Sequence, residues 1–412
     1  MRALSADIIV VGAGAAGILA AAFAAGEGRR VLLLERTRDG GRKILISGGG
    51  RCNILPSEVD PAWFVSDSSP HSLRKILRSW PLAAQRRFFD AEVGIPLVLE
   101  EETGKLFPAS QRARDVRDRL LVFARERGAS IRFEATLEDV RPDAGAWVVL
   151  LAGGEELRSH TVVLATGGLS VPTTGSDGTG LGIAAKLGHR VSPTYPALTP
   201  LTTDAPRFTA LAGVSLEVAL TSPPVTPRYN RPQGFLFTHR GFSGPVVLNI
   251  SHIAVRSRMQ GGPRQPILVR WSPLERADWD AELGSPSTTA VRTVIRRHLP
   301  SRLADALADE AGLPPDRTLA QLRREERQDL VRILTAFTLP WAGDEGYRKA
   351  EVTGGGVTLD EVDPVTLESR RCPGLFMCGE MLDAFGPIGG FNFLWAWATG
   401  RAAGLGARAR AA

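Results

Sequence analysis

Sulfur is scarce in this chain: its 412 residues include only three cysteines, Cys52, Cys372 and Cys378. None forms a CxxC or CxxxxC pair or shows metal-ligand spacing, which argues against a dithiol redox centre and gives no metal site. So little cysteine suits a reducing cytoplasm. Long apolar runs are missing too. No stretch reaches the ~18 consecutive apolar residues that suggest a membrane span. The apolar run Ala15–Ala25 follows a strand and a glycine motif with no basic leader, so neither a secretory signal nor a membrane partner is expected. A net charge of +6 and a pI near 9.6 are compatible with a polyanionic partner, but the basic residues are almost all arginine and are spread along the chain. With 43% hydrophobic and 23% charged residues, the composition is that of an ordinary globular protein. Its length exceeds the usual size of one hydrophobic core, so two or more domains are expected.

Glycine, by contrast, is plentiful and placed with a pattern. "DIIVVGAGAAGILAAAFAAGEGRRVLLLE" reads as a strand over Asp7–Val11, a glycine turn, an alanine-rich helix, and a second strand over Val31–Leu34 that ends in Glu35. Gly12 to Gly17 fit GxGxxG, and Glu35 lies 18 residues beyond the last glycine, the fingerprint of a dinucleotide-binding βαβ unit. Gly12 makes the turn, Gly14 admits a pyrophosphate, Gly17 lets helix and strand pack, and Glu35 accepts from ribose hydroxyls. Directly after this unit, "GGRKILISGGGRCNIL" combines five glycines with three cations. Glycines let backbone approach a ligand and cations suit phosphate, so a large anionic group is expected along this segment. "TGSDGTGLGIAAKLGH" has glycines but no strand before it and no strand-end acid after it, so it reads as a helix start. One tightly held dinucleotide is expected, without a dedicated NAD(P)H domain.

Further on, "RARDVRDRLLVFARERGASIRFEATLEDV" gives an amphipathic helix and a strand, followed by the strands of "AWVVLLAG" and "ELRSHTVVLATGG". The last runs over Thr161–Ala165 into Thr166-Gly167-Gly168, as expected where a chain returns to a dinucleotide sheet near the pyrophosphate. From residue 192 prolines punctuate short β-rich runs, and from about Asp278 to Thr338 the periodicity is helical. That arginine-laden stretch reads either as a solvated helical insert or as a nucleic-acid face. Leu375–Cys378 is an apolar strand with Gly379-Glu380 at its carboxyl end, and Gly389-Gly390 opens a helix near Phe391, so the C-terminus should complete the N-terminal sheet. The expected organisation is 1–191 dinucleotide domain, 192–277 β-rich insert, 278–340 helical insert, and 341–412 return, with a final β-domain strand near 345–353.

"GAGAAG", "GRKILISGGGRCN", "FTHRGFSGP", "VTGGGV", "EVDPVTLES" and "GEMLDAFGPIGGFNFLWAWATG" occur in an order and spacing that resembles the BaiN/RdsA family of FAD-dependent oxidoreductases, from Asp7 to Gly404. The resemblance implies an α/β fold: a glutathione-reductase-type, Rossmann-like FAD-binding domain with an inserted β-barrel and a small helical insert. The chain departs from the family pattern at Leu394, where glutamine is usual, and at Phe391, where tyrosine is usual. FAD is the implied cofactor, with NADH or NADPH as transient electron donor. Gly12, Gly14, Ala15 and Gly17 would then face the phosphates, with Glu35 and Arg36 at the ribose. Ser47, Gly48, Gly49, Arg51, Cys52 and Asn53 would run along the flavin and pyrophosphate, with Arg42 and Lys43 adding cations. Thr166, Gly167 and Gly168 border the same site. Gly379, Glu380 and Asp383 approach the ribityl chain. Gly389, Gly390, Phe391 and Asn392 open a helix beside the flavin's pyrimidine edge, where a helix N-terminus stabilises negative charge.

Flavin performs electron transfer while the protein supplies position, charge and protons. The leading expectation is hydride transfer between flavin N5 and an electron-poor C=C bond, with Cys52 and His239 as candidate proton donors. Cys52 reads either as a donor or as a small residue packed under the loop, and Arg51 beside it is expected to lower its thiol pKa. His239 reads either as a catalytic or substrate-orienting group or as a structural hydrogen bond at a β-turn. Phe393, Trp395 and Trp397 read as helix core. The resemblance implies two substrate classes for one chemistry, small enone-like molecules and a uracil ring in ribosomal RNA. It also leaves an amine or aminoketone oxidase, and a flavin-containing RNA-binding protein without turnover, as alternatives.

Overall fold

The computed structural model describes residues 5–225 and 227–411. They form two compact units, one from the chain up to Pro196 together with the chain from Glu351 onward, the other from Ala197–Ala350.

In the first unit, runs of three or four mostly apolar residues become the strands of a parallel sheet. β1 (Ile8–Val11) leads through α1 (Ala15–Ala24) into β2 (Val31–Leu34). Two helices on the way, α2 (Pro70–Ser79) and α3 (Leu82–Arg87), precede β3 (Ala129–Arg132) and β4 (Thr161–Leu164). From the far end of the chain come β5 (Leu375–Met377) and α4 (Phe391–Arg410). The strand order is β5-β4-β1-β2-β3, and all pairs are parallel. Every residue of β1, β4 and β5 is buried, as a parallel sheet covered on both faces requires. β5 pairs with β4 through Val162↔Leu375, so the C-terminal return does complete the N-terminal sheet. It brings α4 against α1 at backbone distance: a Cβ on Gly400 would lie 2.3 Å from the Ala16 carbonyl oxygen, and one on Gly404 2.4 Å from that of Ala20. An antiparallel meander over 137–159 precedes β4, and a small antiparallel sheet joins Leu55–Pro56, Lys105–Pro108 and Leu97–Glu100.

The second unit is built on a seven-stranded antiparallel sheet that runs from Phe337–Thr338 at one edge to Gly343–Asp344 at the other. Among the described residues the two edge strands do not pair with each other, so the seven strands form an open sheet and not a closed barrel. The link Leu339–Ala342 passes from one edge to the other, and Pro340 within it has no N–H to donate. The helices of the insert share one apolar core with the sheet: Phe235, Phe237 and Trp271 belong to the same buried cluster as Leu303, Leu307 and Leu330. Residues 278–340 therefore form no core of their own, and the sheet's last strand falls at Gly343–Asp344, just ahead of the expected range.

Candidate functional site

The glycine turn between β1 and α1 divides its glycines by task. A Cβ on Gly12 would meet the Ala165 carbonyl oxygen at 2.5 Å, and one on Gly17 the Gly12 carbonyl oxygen at 1.8 Å, so both are held by backbone packing. Gly14 differs, since nothing lies within 4 Å of where its Cβ would be. It caps α1, whose first turn carries no acid and no side-chain cap, so the helix's initial N–H groups keep a partial positive charge with no side chain of the cap to offset it. At the end of β2, Glu35 Oε2 accepts from the Ala13 N–H (2.8 Å), while Oε1 accepts from the Thr37 N–H (2.8 Å) and hydroxyl (2.7 Å). A carboxylate has about four acceptor positions, which leaves roughly one for a ribose hydroxyl.

Across the carboxyl ends of β4 and β5, Glu380 ties together three distant segments. Lys43 Nζ donates to Glu380 Oε2 (2.5 Å) and to Ser170 Oγ (2.6 Å). Glu380 Oε1 accepts from the Ser170 hydroxyl and from the Thr353 N–H (3.0 Å) and hydroxyl (2.9 Å). Thr353 Oγ1 in turn accepts from the Leu169 and Ser170 N–H groups. A Cβ on Gly168 would sit 2.4 Å from Thr353 Oγ1, so glycine is required there. Sequence reasoning missed Ser170 and Thr353; only the glycines of the "VTGGGV" motif hinted at a close approach.

The start of α4 is a second helix N-terminus without acid or side-chain cap, entered through Gly389 (φ 115°) and Gly390 (φ 96°). The Asn392 side chain folds back on the entering loop: Oδ1 accepts from the Gly386 N–H (2.9 Å) and Nδ2 donates to its carbonyl (3.1 Å). Phe391 packs edge-on against Trp63 and Phe64. Lys105 lies against this helix start, its Cε 3.6 Å from the Cβ position of Gly389, and its ammonium makes no hydrogen bond or ion pair among the described residues. Glu351 is electrostatically coupled to Lys105. It is exposed at the surface, yet desolvation by the surrounding protein pushes its carboxyl above the usual range against the pull of that lysine. Neither residue stood out in the sequence. Among residues 47–53, Gly48 and Gly49 are left-handed, the Cβ position of Gly49 is open, and the Asn53 amide makes no hydrogen bond among the described residues.

A family model described as HI0933-like protein Rossmann domain matches residues 6–406. The chain belongs to that family. It is 35% identical to the ribosomal RNA dihydrouridine synthase of Escherichia coli (strain K12), over 95% of this chain and 96% of that one. To the 3-dehydro-bile acid delta(4,6)-reductase of Clostridium scindens it is 30% identical, over 97% and 98%. Among solved structures, the fold resembles a 3-ketosteroid delta1-dehydrogenase from Sterolibacterium denitrificans (TM-score 0.53, 14% identity, 98% of this chain and 99% of that one). A flavocytochrome c3 fumarate reductase is similar at TM-score 0.51, with 16% identity over 100% of this chain and 79% of that one. This member of the HI0933-like family is an FAD-dependent oxidoreductase. Its residues fit that cofactor: an open glycine beneath one uncapped helix N-terminus, an acid with a spare acceptor position, and a second uncapped helix start beside a free ammonium.

Several expectations need correction. Cys52 has no exposed surface, and burial pushes its thiol up to about 12. Arg51 does not offset this, because its guanidinium pairs with Glu100 (2.9 Å) and stacks over Phe107. Enclosed by protein alone, Cys52 presents nothing to a ligand and is a core residue. Arg42 pairs with Asp39 (2.8 Å) and Arg36 with Asp177, so their charges are matched within the chain. Asp383 is buried and accepts from the Ser68 hydroxyl (2.9 Å) and the Asp67 N–H (3.1 Å), which makes it the clamp of a neighbouring loop. His239 stands exposed on the hairpin turn between Gln233–Thr238 and Gly241–Ser243 of the second unit, without a hydrogen bond among the described residues. The arginine-laden stretch 278–338 holds nine arginines but ten acids. Six of the nine are paired with carboxylates, as in Arg292–Asp309, Arg296–Asp305 and Arg317–Glu326, and with acids in excess the stretch has no net positive charge, which weakens its claim to be a nucleic-acid face. Trp395 and Trp397 are buried, as helix core should be.

Proposed function

We propose that this flavoenzyme reduces an activated C=C bond, with a uracil ring of ribosomal RNA as substrate and NADH or NADPH as transient electron donor. The observation that carries the reading is near end-to-end identity of 35% and 34% to two ribosomal RNA dihydrouridine synthases, in a chain whose glycine turn is open at Gly14. Reduction of such a bond adds a hydride at the β-carbon and a proton at the α-carbon, and bound FAD supplies the hydride chemistry. Position, charge and proton fall to the chain. Gly14 and the start of α1 receive pyrophosphate, and Glu35 takes a ribose hydroxyl. The Lys43–Glu380–Ser170–Thr353 network holds the strand ends that frame the site. Lys105 and the first N–H groups of α4 stabilise negative charge at the far edge. Glu351, whose carboxyl is raised by desolvation and which is coupled to Lys105, is the candidate proton source. A single dinucleotide fingerprint supports a pyridine nucleotide that visits rather than stays.

Identity of 30% to a bile acid reductase favours a second reading, a small enone in place of RNA. Anaerobic stopped-flow absorbance separates the two. The protein is bleached with NADPH or NADH, then mixed with a ribosomal RNA fragment or with a panel of enones. Reoxidation by RNA with formation of dihydrouridine is expected. Reoxidation by enones alone moves the substrate to the small-molecule class, and failure of either nucleotide to bleach the flavin overturns the reductive reading.

A further inference from the structure

Positive charge is concentrated away from the arginine-rich insert. The run from Ser68 to Phe89 contains five cations and no acid, against a net charge of +6 for the whole chain. It folds into α2 and α3. On α2, His71, Arg74, Lys75 and Arg78 follow the i, i+3, i+4, i+7 spacing of one helix face and are all exposed, while Leu73, Ile76 and Leu77 are buried on the other. Arg86 and Arg87 are exposed on α3. The junction is fixed from inside: Gln85 Nε2 donates to the Trp80 carbonyl (2.8 Å), and Trp80 packs edge-on against Phe88. These cations therefore project from helices anchored in the core.

Their distinction lies in what they lack. Arg74, Lys75, Arg78 and Arg87 make no ion pair or hydrogen bond among the described residues, and Arg86 reaches only Asp90, at 4.0 Å. Most exposed arginines elsewhere in the same unit have carboxylates beside them, among them Arg127 with Glu92, Arg132 with Glu155 and Arg141 with Glu156, and the exposed Arg38, Arg114 and Arg125, which make no ion pair among the described residues, each directly precede an acid in the sequence. A face of unmatched cations without an interspersed acid is complementary to a regularly spaced polyanion. Phosphodiester backbone gains most from it, because each neutralised phosphate releases condensed counterions. We infer that the exposed face of α2 and α3 docks the phosphodiester backbone of the RNA substrate, an inference that rests on the RNA reading above. The contacts orient the RNA and carry no base specificity.

The test uses the flavin-loaded protein and fluorescence anisotropy with a labelled ribosomal RNA fragment over a series of salt concentrations. Replacing Arg74, Lys75, Arg78 and Arg87 together by glutamine should flatten the plot of log K against log salt by roughly 3, at about 0.7–0.9 per lost phosphate contact. The pair R74Q/R78Q should flatten it by about half as much, which keeps the test valid if the fourfold variant folds poorly. Flavin content and the rate of flavin reduction by NADPH should not change. R297Q/R332Q, drawn from the acid-paired insert, should leave affinity within about twofold. An unchanged slope in the fourfold variant overturns the docking face while dihydrouridine formation by the wild type still stands. RNA bound through this face without dihydrouridine formation overturns the substrate reading and leaves the face. Tighter binding to phosphatidylserine–phosphatidylcholine vesicles than to RNA, or no RNA binding at all, overturns the inference.

Discussion

Gly14 is the residue at which fold and function separate most cleanly. Because nothing stands within 4 Å of its Cβ position and its φ is an ordinary −81°, a side chain there collides with no part of the protein. Gly14→Val should therefore fold with a melting temperature near that of the wild-type apoprotein while it blocks pyrophosphate approach. Retained flavin, read from the 450 nm to 280 nm absorbance ratio, should fall at least about tenfold, a loss of roughly 1.4 kcal/mol or more. Full flavin retention would remove the cofactor from this turn. Cys52 gives the opposite pattern. Cys52→Ala should leave flavin and turnover unchanged and cost about 1 kcal/mol of stability through lost packing, and native protein at pH 8 should resist iodoacetamide at this thiol, whose pKa is about 12. Glu351→Gln should leave flavin reduction by NADPH intact and slow reoxidation by substrate. In the wild type, where desolvation by neighbouring protein raises the carboxyl pKa, reoxidation should weaken as pH rises through that raised value, because the proton is then gone. A variant with an unaltered pH profile would dismiss Glu351 as the proton source.

Among the elements, α4 links the sheet to the chemistry. Its Gly400 and Gly404 allow contact with α1, and its uncapped start lies beside Lys105. A helix N-terminus and an unpaired ammonium on one edge both favour the reduced, more negative cofactor. Lys105→Met should lower the two-electron midpoint potential by roughly 20 mV, the equivalent of about 1 kcal/mol, with flavin content unchanged; a potential that does not move would place Lys105 outside the cofactor's field. Strands β1, β2, β4 and β5 were legible in the sequence as short, largely apolar runs, and α1 and α4 as helices opened by glycine, patterns set by local chemistry. The Glu380 network was not, since Lys43, Ser170, Thr353 and Glu380 lie far apart along the chain and meet only because β4 and β5 pair. Cys52 was misread because its neighbour in sequence, Arg51, points to Glu100 and not to the thiol. A balance of arginines and acids in 278–338 was countable from the start; reading arginine without its acids suggested a basic face where the charge is matched.

At the scale of the whole molecule there are two apolar cores, one in each unit, and separate cores predict separate unfolding with separate ligand and proton linkage. On the proposed reading, FAD binds the unit that carries the glycine turn. At a free concentration about a hundredfold above Kd, it should stabilise that unit by about 2.7 kcal/mol. His252 belongs to the other unit, where it is buried and its Nδ1–H donates to the Asn249 carbonyl. Burial lowers its pKa from 6.5 to about 4, so the folded unit binds fewer protons than the unfolded chain between those values. Stability therefore rises with pH: the contribution is complete above about 6.5 and is lost as pH falls toward 4, roughly 3 kcal/mol in all. Scanning calorimetry should resolve two transitions. Added FAD should raise one of them. His252→Asn should flatten the acid dependence of the other between pH 7 and pH 5 and leave the FAD-sensitive transition in place. If one transition responds to both the cofactor and the histidine, the two cores unfold as a single cooperative block, and flavin binding stabilises the His252 unit as well.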